Sequence, residues 1–153
     1  MKKHPDLNLP VMKLRAIRRG GCDYVWDSMR GIWLVLTPEE WVRRHVINWL
    51  TELEMIPPAH VIQEYRLHLN GNSQRADIVV VSRNGDPVML VECKAPDITI
   101  DSDVLDQAIR YNSVLGAPHI MLTNGLVHYF YTTWDGRTYS QCTEIPDFSS
   151  MIL

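Results

Sequence analysis

Two carboxylates and one lysine, which together could catalyse hydrolysis of a phosphodiester, flank a predicted hairpin. Asp77, Glu92 and Lys94 lie in the segment RADIVVVSRNGDPVMLVECKAP, residues 75–96. Such hydrolysis needs a Lewis acid on the phosphate, an activated water and a cation that balances the developing negative charge. Two carboxylates can hold the Lewis acid and a lysine can supply the cation. The chemistry therefore depends on whether the fold brings these three side chains together.

The turn between the two strands predicts that they meet. Asn84-Gly85 joins two apolar runs, and this dipeptide favours a type I′ hairpin turn because both central residues need φ > 0. A two-residue turn at this position places Asp77 directly opposite Glu92. Opposed side chains share a face with Cβ atoms about 4.5–5.5 Å apart, and strand alternation puts Lys94 on the same face. A β-bulge or a longer loop would break this register.

The two acids end strands that are otherwise apolar on both sides. Such strands are usually covered on both faces, and opposed like charges repel more strongly once they are desolvated. Three solutions stay open: one carboxyl is protonated, Lys94 compensates, or a divalent cation lies between Asp77 and Glu92. Oxygen ligands suit Mg²⁺, which takes one or two carboxylates and keeps several waters. A solvated sheet end, in which the acids pair with Lys94 and Arg75, is the purely structural alternative.

The whole chain has the length and composition of a single globular domain, residues 1–153. Of its 153 residues, 46% are hydrophobic and 22% are charged, and such a chain buries roughly two-thirds of its unfolded surface. The net charge of −3 gives no global basic signal, so contact with a polyanion would have to be local or metal-assisted. The 3 cysteines have no zinc or disulfide spacing and no apolar run is long enough for a membrane span. A cytoplasmic protein is expected.

Residues 1–36 are predicted to form an N-terminal arm followed by a hairpin and a strand extension. The first ten residues are expected to be loose, and Gly20-Gly21 to join the first hairpin. Four arginines make this section locally basic: Arg15, Arg18, Arg19 and Arg30. A solvated hairpin and a phosphate-contacting edge both fit this pattern. The tryptophans could be core residues or could stack bases.

A first helix is predicted from Glu39 to about Glu54. Thr37 is a good N-cap, the proline after it suits the first helical position, and Glu40 would complete a capping box. Glu39 lies at the head of the apolar face. Spacing therefore favours Glu39 over Glu40 if one helix acid reaches a metal, although both could simply complement the helix dipole.

Residues 37–142 are predicted to form the core, in the order helix, three strands, helix and further strands with C-terminal hairpins. The first core strand contains Glu64, which is expected to be solvated, with a supporting role behind the metal ligands as the alternative. A second helix is expected to be capped by Ser102 and carries Gln107 beside its apolar stripe, four residues before Tyr111. The C-terminal tail is expected to be irregular.

This order of elements and these residues resemble the restriction-endonuclease-like superfamily, the PD-(D/E)xK nucleases. The likeness is greater to the N-terminal nuclease domain of type I restriction enzyme R subunits. It extends over residues 24–132 in the phrases YVWDSMRGIWLVLTPEEWVRRH, RADIVV, LVECKAP and DQAIRYN. The Asp…Glu-x-Lys triplet is loose alone, but the acidic helix before it and Gln-x3-Tyr after it make the combination specific. The resemblance implies an α/β (mixed α+β) fold whose mixed sheet is flanked by helices.

The resemblance also implies roles at the acidic end of the hairpin. Asp77 and Glu92 would bind Mg²⁺, for which Mn²⁺ is expected to substitute, and the backbone carbonyl of Cys93 would add a ligand. Lys94 would position or activate the attacking water and stabilise charge on the phosphate.

Further roles carry over to the helices and to the first part of the hairpin. Glu39, or Glu40, would complete the cation site, as a helix acid does in many members. Gln107 is expected near the metal as a further catalytic residue, with Tyr111 and Arg75 as substrate contacts.

The expected function is Mg²⁺-dependent hydrolysis of DNA, by an endonuclease of restriction or DNA-processing type. The rival from another class is a catalytically silent nuclease-like fold that binds nucleic acid or serves assembly. A small-molecule enzyme would need a deep apolar pocket, which no pattern indicates. DNA is the expected partner, and no membrane contact is expected. A separate motor or specificity subunit and a homo-oligomeric state stay open.

Overall fold

The computed structural model describes residues 3–153 and contains two β-sheets. The small sheet is antiparallel and is built from β1 (Ala16–Arg19), β2 (Cys22–Asp27) and β3 (Ile32–Val35). The large sheet has six strands: β4 (Val61–Leu69), β5 (Asn72–Val81), β6 (Pro87–Cys93), β7 (His119–Thr123), β8 (His128–Thr133) and β9 (Tyr139–Cys142). The α-helices are α1 (Pro38–Asn48), α2 (Ser102–Leu115) and α3 (Phe148–Met151), with a π-helical turn at Trp49–Leu53 and a 3₁₀ turn at Pro58–His60.

The large sheet is mixed, as predicted. Its strands lie in the order β4-β5-β6-β7-β8-β9, with β6 and β7 parallel and the other neighbours antiparallel. A parallel pair needs a long crossover, and α2 supplies it between β6 and β7. The predicted mixed α+β architecture with flanking helices is therefore confirmed.

Both faces of the central strands are buried, which explains their nearly continuous apolar sequence. On one face, Ile78 and Val80 of β5 belong to a core cluster that also contains Val42 and Val46 of α1. On the other face, Val79 belongs to a second cluster that includes residues of α2. Among the helices of residues 3–153, none is long and apolar enough to cross a membrane.

The start of α1 is formed as predicted, but only half of the capping box is present. Thr37 Oγ1 accepts a hydrogen bond of 3.0 Å from the backbone N–H of Glu40. The carboxylate of Glu40 does not return to the cap, because it binds Arg43 and Arg44 on the next turn of the helix. The side chain of Glu40 therefore serves a buried ion-pair network.

The β5–β6 hairpin corrects the predicted turn and keeps the predicted register of the acids. A hydrogen bond of 2.8 Å from Ser82 N to Asp86 O closes a loop of three residues, not two. A register shift after Val80 leaves one extra residue on β6, and this bulge cancels the extra loop residue. Ile78 therefore pairs with Val91, as the shorter turn would also require.

The N-terminal arm is docked, which corrects the prediction that it is loose; its first two residues lie outside the described part. Trp41 Nε1 donates to Pro5 O at 2.9 Å. Asn8 N donates to Gly125 O at 2.8 Å, and Asn8 O lies 2.8 Å from Nε2 of His128. The arm thus connects α1 with the β7–β8 turn.

Two predictions for the second half of the chain, the cap of α2 and the irregular tail, are also wrong in detail. The N-cap of α2 is Asp101, whose Oδ1 accepts from Val104 N at 3.1 Å, rather than Ser102. The tail is not wholly irregular, because α3 buries Phe148 in the core.

Candidate active site

Asp77 and Glu92 lie side by side where β5 and β6 approach their acidic ends. The pairing of Ile78 with Val91 places them opposite each other. Cys93 N donates to Asp77 Oδ2 at 2.7 Å, and Asp77 N lies 3.4 Å from Glu92 Oε1. Each carboxyl therefore reaches across to the backbone of the other strand, and the two carboxyls are also in hydrogen-bond contact with each other.

Burial makes this carboxyl pair electrostatically unfavourable. Only 8% of Glu92 and 15% of the Asp77 side chain are exposed. Burial, followed by the charge of Asp77 and the contact between the two carboxyls, raises the pKa of Glu92 well above its usual value. Burial also raises the pKa of Asp77, against the opposing effects of the Cys93 N–H and Arg43. Both shifts favour a protonated carboxyl, or a cation in its place.

The charges of Glu39 and Lys94 act on this part of the structure. Burial and the charge of Asp77 raise the pKa of Glu39, while the positive charges of Lys94 and Arg43 lower it. The charge of Lys94 also acts on Asp77 and Glu92. Of the two candidate helix acids, Glu39 is therefore the one whose pKa responds to Asp77 and Lys94, and Glu40 is the one held by arginines.

Arg43, which the sequence did not single out, and Glu64, for which it left a supporting role open, both lie next to Asp77. Arg43 Nη1 lies 3.9 Å from Asp77 Oδ1 and 3.8 Å from Glu64 Oε1. The neighbouring pairs Gln63–Ile78 and Tyr65–Ala76 place Glu64 opposite Asp77 on β4. Arg43 thus stands between two carboxylates on adjacent strands.

The side chain of Glu64 is only 32% exposed and is ion-paired, where the sequence predicted a solvated residue, and its backbone is strained. Its φ of 51° lies in the left-handed region that non-glycine residues rarely adopt, and such strain often occurs at functional sites. Arg30 Nη1 donates to Glu64 Oε2 at 2.6 Å, and this bond lowers the pKa of Glu64 despite partial burial. Arg75, which is largely exposed, lies 4.0 Å from Glu64 Oε1.

A buried polar network connects this cluster with the small sheet. Asp27, at the end of β2, accepts from Arg30 and from Gln63 Nε2 at 3.1 Å, and pairs with Arg44 at 3.3 Å. Arg44 also binds the side chain of Gln63 and, at 2.9 Å, the carboxylate of Glu40. The β2–β3 turn, α1 and β4 are therefore joined behind Asp77. The sequence signal for this network is the adjacent arginines Arg43 and Arg44, which directly follow Val42 of the apolar stripe.

Gln107 and Tyr111 form a separate contact between α2 and β5. Gln107 Nε2 donates to Tyr111 Oη at 3.0 Å, and Tyr111 Oη donates to Gln74 Oε1 at 3.4 Å. The partners found for Gln107 within residues 3–153 do not include the two acids or Lys94. Catalytic and substrate-binding roles for Gln107 and Tyr111 remain predictions.

The donor set at Asp77 and Glu92 fits a hard divalent cation. No group of three or more His, Cys, Asp or Glu side chains in the described residues is arranged to hold a metal ion, so the side chains offer a pair of carboxylates. Mg²⁺ commonly takes one or two carboxylates and completes its shell with waters. A cation between two buried carboxyls would also remove the repulsion that raises their pKa values. The Cys93 thiol is fully buried, so that residue would contribute through its backbone.

Comparison with known proteins identifies a family and a distantly similar structure. The family described as "Type I restriction enzyme R protein N terminus (HSDR_N)" matches residues 38–146. Among solved structures, the chain is similar to a candidate nuclease of family DUF820 from Anabaena variabilis, with 15% sequence identity and a TM-score of 0.45. That alignment covers 88% of this chain and 87% of the other. None of the curated proteins matches the sequence.

Proposed function

Because this chain belongs to the family of type I restriction enzyme R protein N termini, we propose that it hydrolyses DNA phosphodiesters with the help of a divalent cation. The observation that carries the proposal is the buried contact between the carboxyls of Asp77 and Glu92. Two opposed acids in an apolar sheet need a compensating partner, because desolvated like charges destabilise the fold. The pair has the ligand chemistry that phosphodiester hydrolysis requires.

The residues around the pair have distinct proposed roles. Asp77 and Glu92 would hold Mg²⁺ or Mn²⁺, with Glu39 beside them. When bound, the cation would act as a Lewis acid toward a phosphate oxygen. Lys94 would orient the attacking water and would stabilise negative charge on the phosphate. Arg43 would keep Asp77 ionised and fixed in place, since its guanidinium lies between Asp77 and a second carboxylate.

Cleavage of supercoiled plasmid tests the proposal. The wild-type protein should nick or linearise the plasmid with Mg²⁺ or Mn²⁺ and should leave it intact with EDTA. Lys94→Ala should lower the cleavage rate by about 10²-fold or more, the usual effect of removing a group that stabilises transition-state charge. Lys3→Ala removes an exposed lysine of the arm and should cleave at the wild-type rate.

The outcomes separate the enzyme from its rival. Cleavage that persists unchanged in Lys94→Ala would reject the assigned site. No cleavage of plasmid, linear duplex or single strands with either metal would favour a nuclease-like fold that only binds nucleic acid. Nicks and internal breaks would identify an endonuclease, whereas degradation of linear DNA alone would identify attack from the ends.

A further inference from the structure

The small sheet has one face turned toward the protein and one turned away from it. Val25 is fully buried, and Asp23 and Asp27 are buried on the same side. On the opposite side the register pairs Ile17 with Tyr24 and Trp26 with Trp33. We call this side the outer face; it is formed by Arg15, Ile17, Arg19, Cys22, Tyr24, Trp26, Trp33 and Val35.

The outer face combines exposed aromatic surface with arginines. Trp33 is 36% exposed and Val35 is 53% exposed. The guanidinium carbon of Arg15 lies 5.2 Å from the ring centroid of Trp26 and 5.3 Å from that of Trp33, within cation–π range. The two tryptophan rings are 5.1 Å apart at 60°. A cavity of about 240 Å³ beside Trp33 is lined by Ile17, Arg19, Tyr24 and Trp33.

The charges of this surface favour a polyanion. None of the eight residues that form the outer face is acidic, and the aspartates of β2 point to the inner side. A second copy of this chain docked face to face would bring together the arginines of both copies with no acidic side chain on either outer face to balance them, and such like charges repel. An apolar partner would leave these guanidinium groups without counter-charges. The complementary ligand therefore carries negative charge and flat π-faces together.

We propose that the outer face binds single-stranded DNA. Unpaired bases would stack on Trp33 and Tyr24, and Arg15 and Arg19 would contact the phosphates, which is the combination used by proteins that bind single strands without sequence preference. Duplex DNA hides its base faces, so it offers only its phosphates to this surface.

The β2–β3 turn connects the outer face with the acidic cluster around Asp77. Trp26 and Trp33 form the last pair of this face before the β2–β3 turn, and Arg30 in that turn bonds to Glu64 opposite Asp77. The end of the outer face that carries Trp26 and Trp33 is therefore the end that the β2–β3 turn links to the acidic cluster. Binding by the outer face does not depend on hydrolysis, so it can be tested apart from the proposed nuclease activity.

Fluorescence anisotropy of labelled oligothymidylate, with EDTA present to prevent cleavage, measures this binding. An oligonucleotide of about 15 nucleotides is long enough for one such site. Trp33→Ala should raise Kd roughly 5- to 150-fold, the effect of losing one stacked base. Arg19→Gln should raise Kd and reduce the slope of log Kd against log salt by about 0.7, the value expected for one lost phosphate contact on a single strand.

Matched controls lie at the β8–β9 turn. Trp134 is 99% exposed and Arg137 is also exposed. Trp134→Ala and Arg137→Gln therefore remove the same two types of side chain at positions that do not belong to the outer face. Both should bind as the wild type does. Because Arg19 is exposed, its variant tests the proposal even if Trp33→Ala fails to fold, which circular dichroism would reveal.

Several results would overturn the assignment. Wild-type Kd and salt slope in the Arg19→Gln and Trp33→Ala proteins would place binding elsewhere. Equal affinity for a duplex of the same length would remove the role of stacking, and tighter binding of an oligouridylate would assign RNA. A dimer in analytical ultracentrifugation that Trp33→Ala dissociates would identify a second copy as the occupant. Binding without any cleavage in the plasmid assay would leave this proposal standing and count against the nuclease alone.

Discussion

Replacement of Glu92 by glutamine should stabilise the metal-free protein, although most substitutions of buried residues destabilise. The change removes one of two opposed charges in a site where only 8% of the residue is exposed, and the amide can still bond to Asp77. Single stabilising substitutions commonly add about 0.5–2 kcal/mol to the free energy of unfolding, and we expect a gain of this size here. For a domain of this size, each kcal/mol corresponds to roughly 2–4 °C in Tm.

The pH dependence of this gain follows from the direction of the pKa shift. Burial and the charge of Asp77 raise the pKa of Glu92 in the folded state. The Glu92 carboxyl therefore destabilises the folded wild type least below its ordinary pKa, where it is protonated. The free energy of unfolding of the wild type then falls as the pH rises through the raised pKa. Glu92→Gln should exceed the wild type in Tm at about pH 8 and should lose this difference near about pH 4.

Divalent metal should reverse the order of stability. At a metal concentration about 100-fold above Kd, binding adds about 2.7 kcal/mol to the free energy of unfolding, so Mn²⁺ should raise the Tm of the wild type by roughly 5–10 °C. Glu92→Gln should lose most of that rise. Differential scanning fluorimetry with and without EDTA measures both effects.

The control is Glu52→Gln, which removes an exposed acid; it should follow the wild type in both conditions. A Glu92→Gln protein that is less stable than the wild type in EDTA, together with a wild-type Tm that Mn²⁺ does not change, would refute the reasoning. Asp77 and Glu92 would then be a structural pair satisfied by their own hydrogen bonds.

Three further substitutions test other contacts. Arg43→Met should lower the free energy of unfolding by about 3 kcal/mol in urea titrations, because it takes a partner from the buried Glu40 carboxylate. Gly125→Ala should lower Tm more than Gly85→Ala. The backbone strain is similar, because φ is +85° at Gly125 and +86° at Gly85, but only at Gly125 would the new Cβ meet another group, a carbon of Leu7 in the arm at 2.7 Å. Glu64→Gln should lose less stability in acid than the wild type loses. The ion pairs of Glu64 lower its pKa in the folded state, so they stabilise the fold above the ordinary carboxyl pKa. This stabilisation is lost as the pH falls through the lowered pKa.

Each of these changes has a matched reference. Arg83→Met removes an exposed arginine at the hairpin tip and Asp97→Asn an exposed acid after β6, and both should behave as the wild type. Arg43→Met as stable as Arg83→Met would show that the network contributes no net stability. Equal losses at the two glycines would mean that the arm does not pack in solution, and an unchanged acid transition in Glu64→Gln would remove Glu64 from the ion pairs.

The parts of the fold that sequence predicts are those with strong local signals. The Thr37 cap, the central Asn-Gly hairpin and the left-handed Gly116 after α2 each depend on a few neighbouring residues. The pairing of Asp77 with Glu92 was also predictable, because alternation and a nearby turn determine which residues face each other. The predicted turn was one residue too short, and the bulge after it preserved the result.

The parts that sequence does not predict depend on contacts between distant residues. Arg30 and Glu64 are 34 positions apart and Asn8 and His128 are 120 apart, and no periodic pattern joins such pairs. Glu64 occupies an ordinary position in a strand, so nothing local announces its positive φ. The burial of Arg43 could not be predicted for the same reason, because its partners Glu40, Glu64 and Asp77 come from three different elements.

The bulge in β6 has a consequence for how this hairpin can be altered. The bulged residue offsets the third loop residue, so the pairs from Val80 onward keep the alignment that brings the two acids together. The tip itself is exposed and lies several residue pairs away from the acids. The tip can therefore accept a peptide epitope or a coupled fluorophore while the chemistry at the far end stays intact.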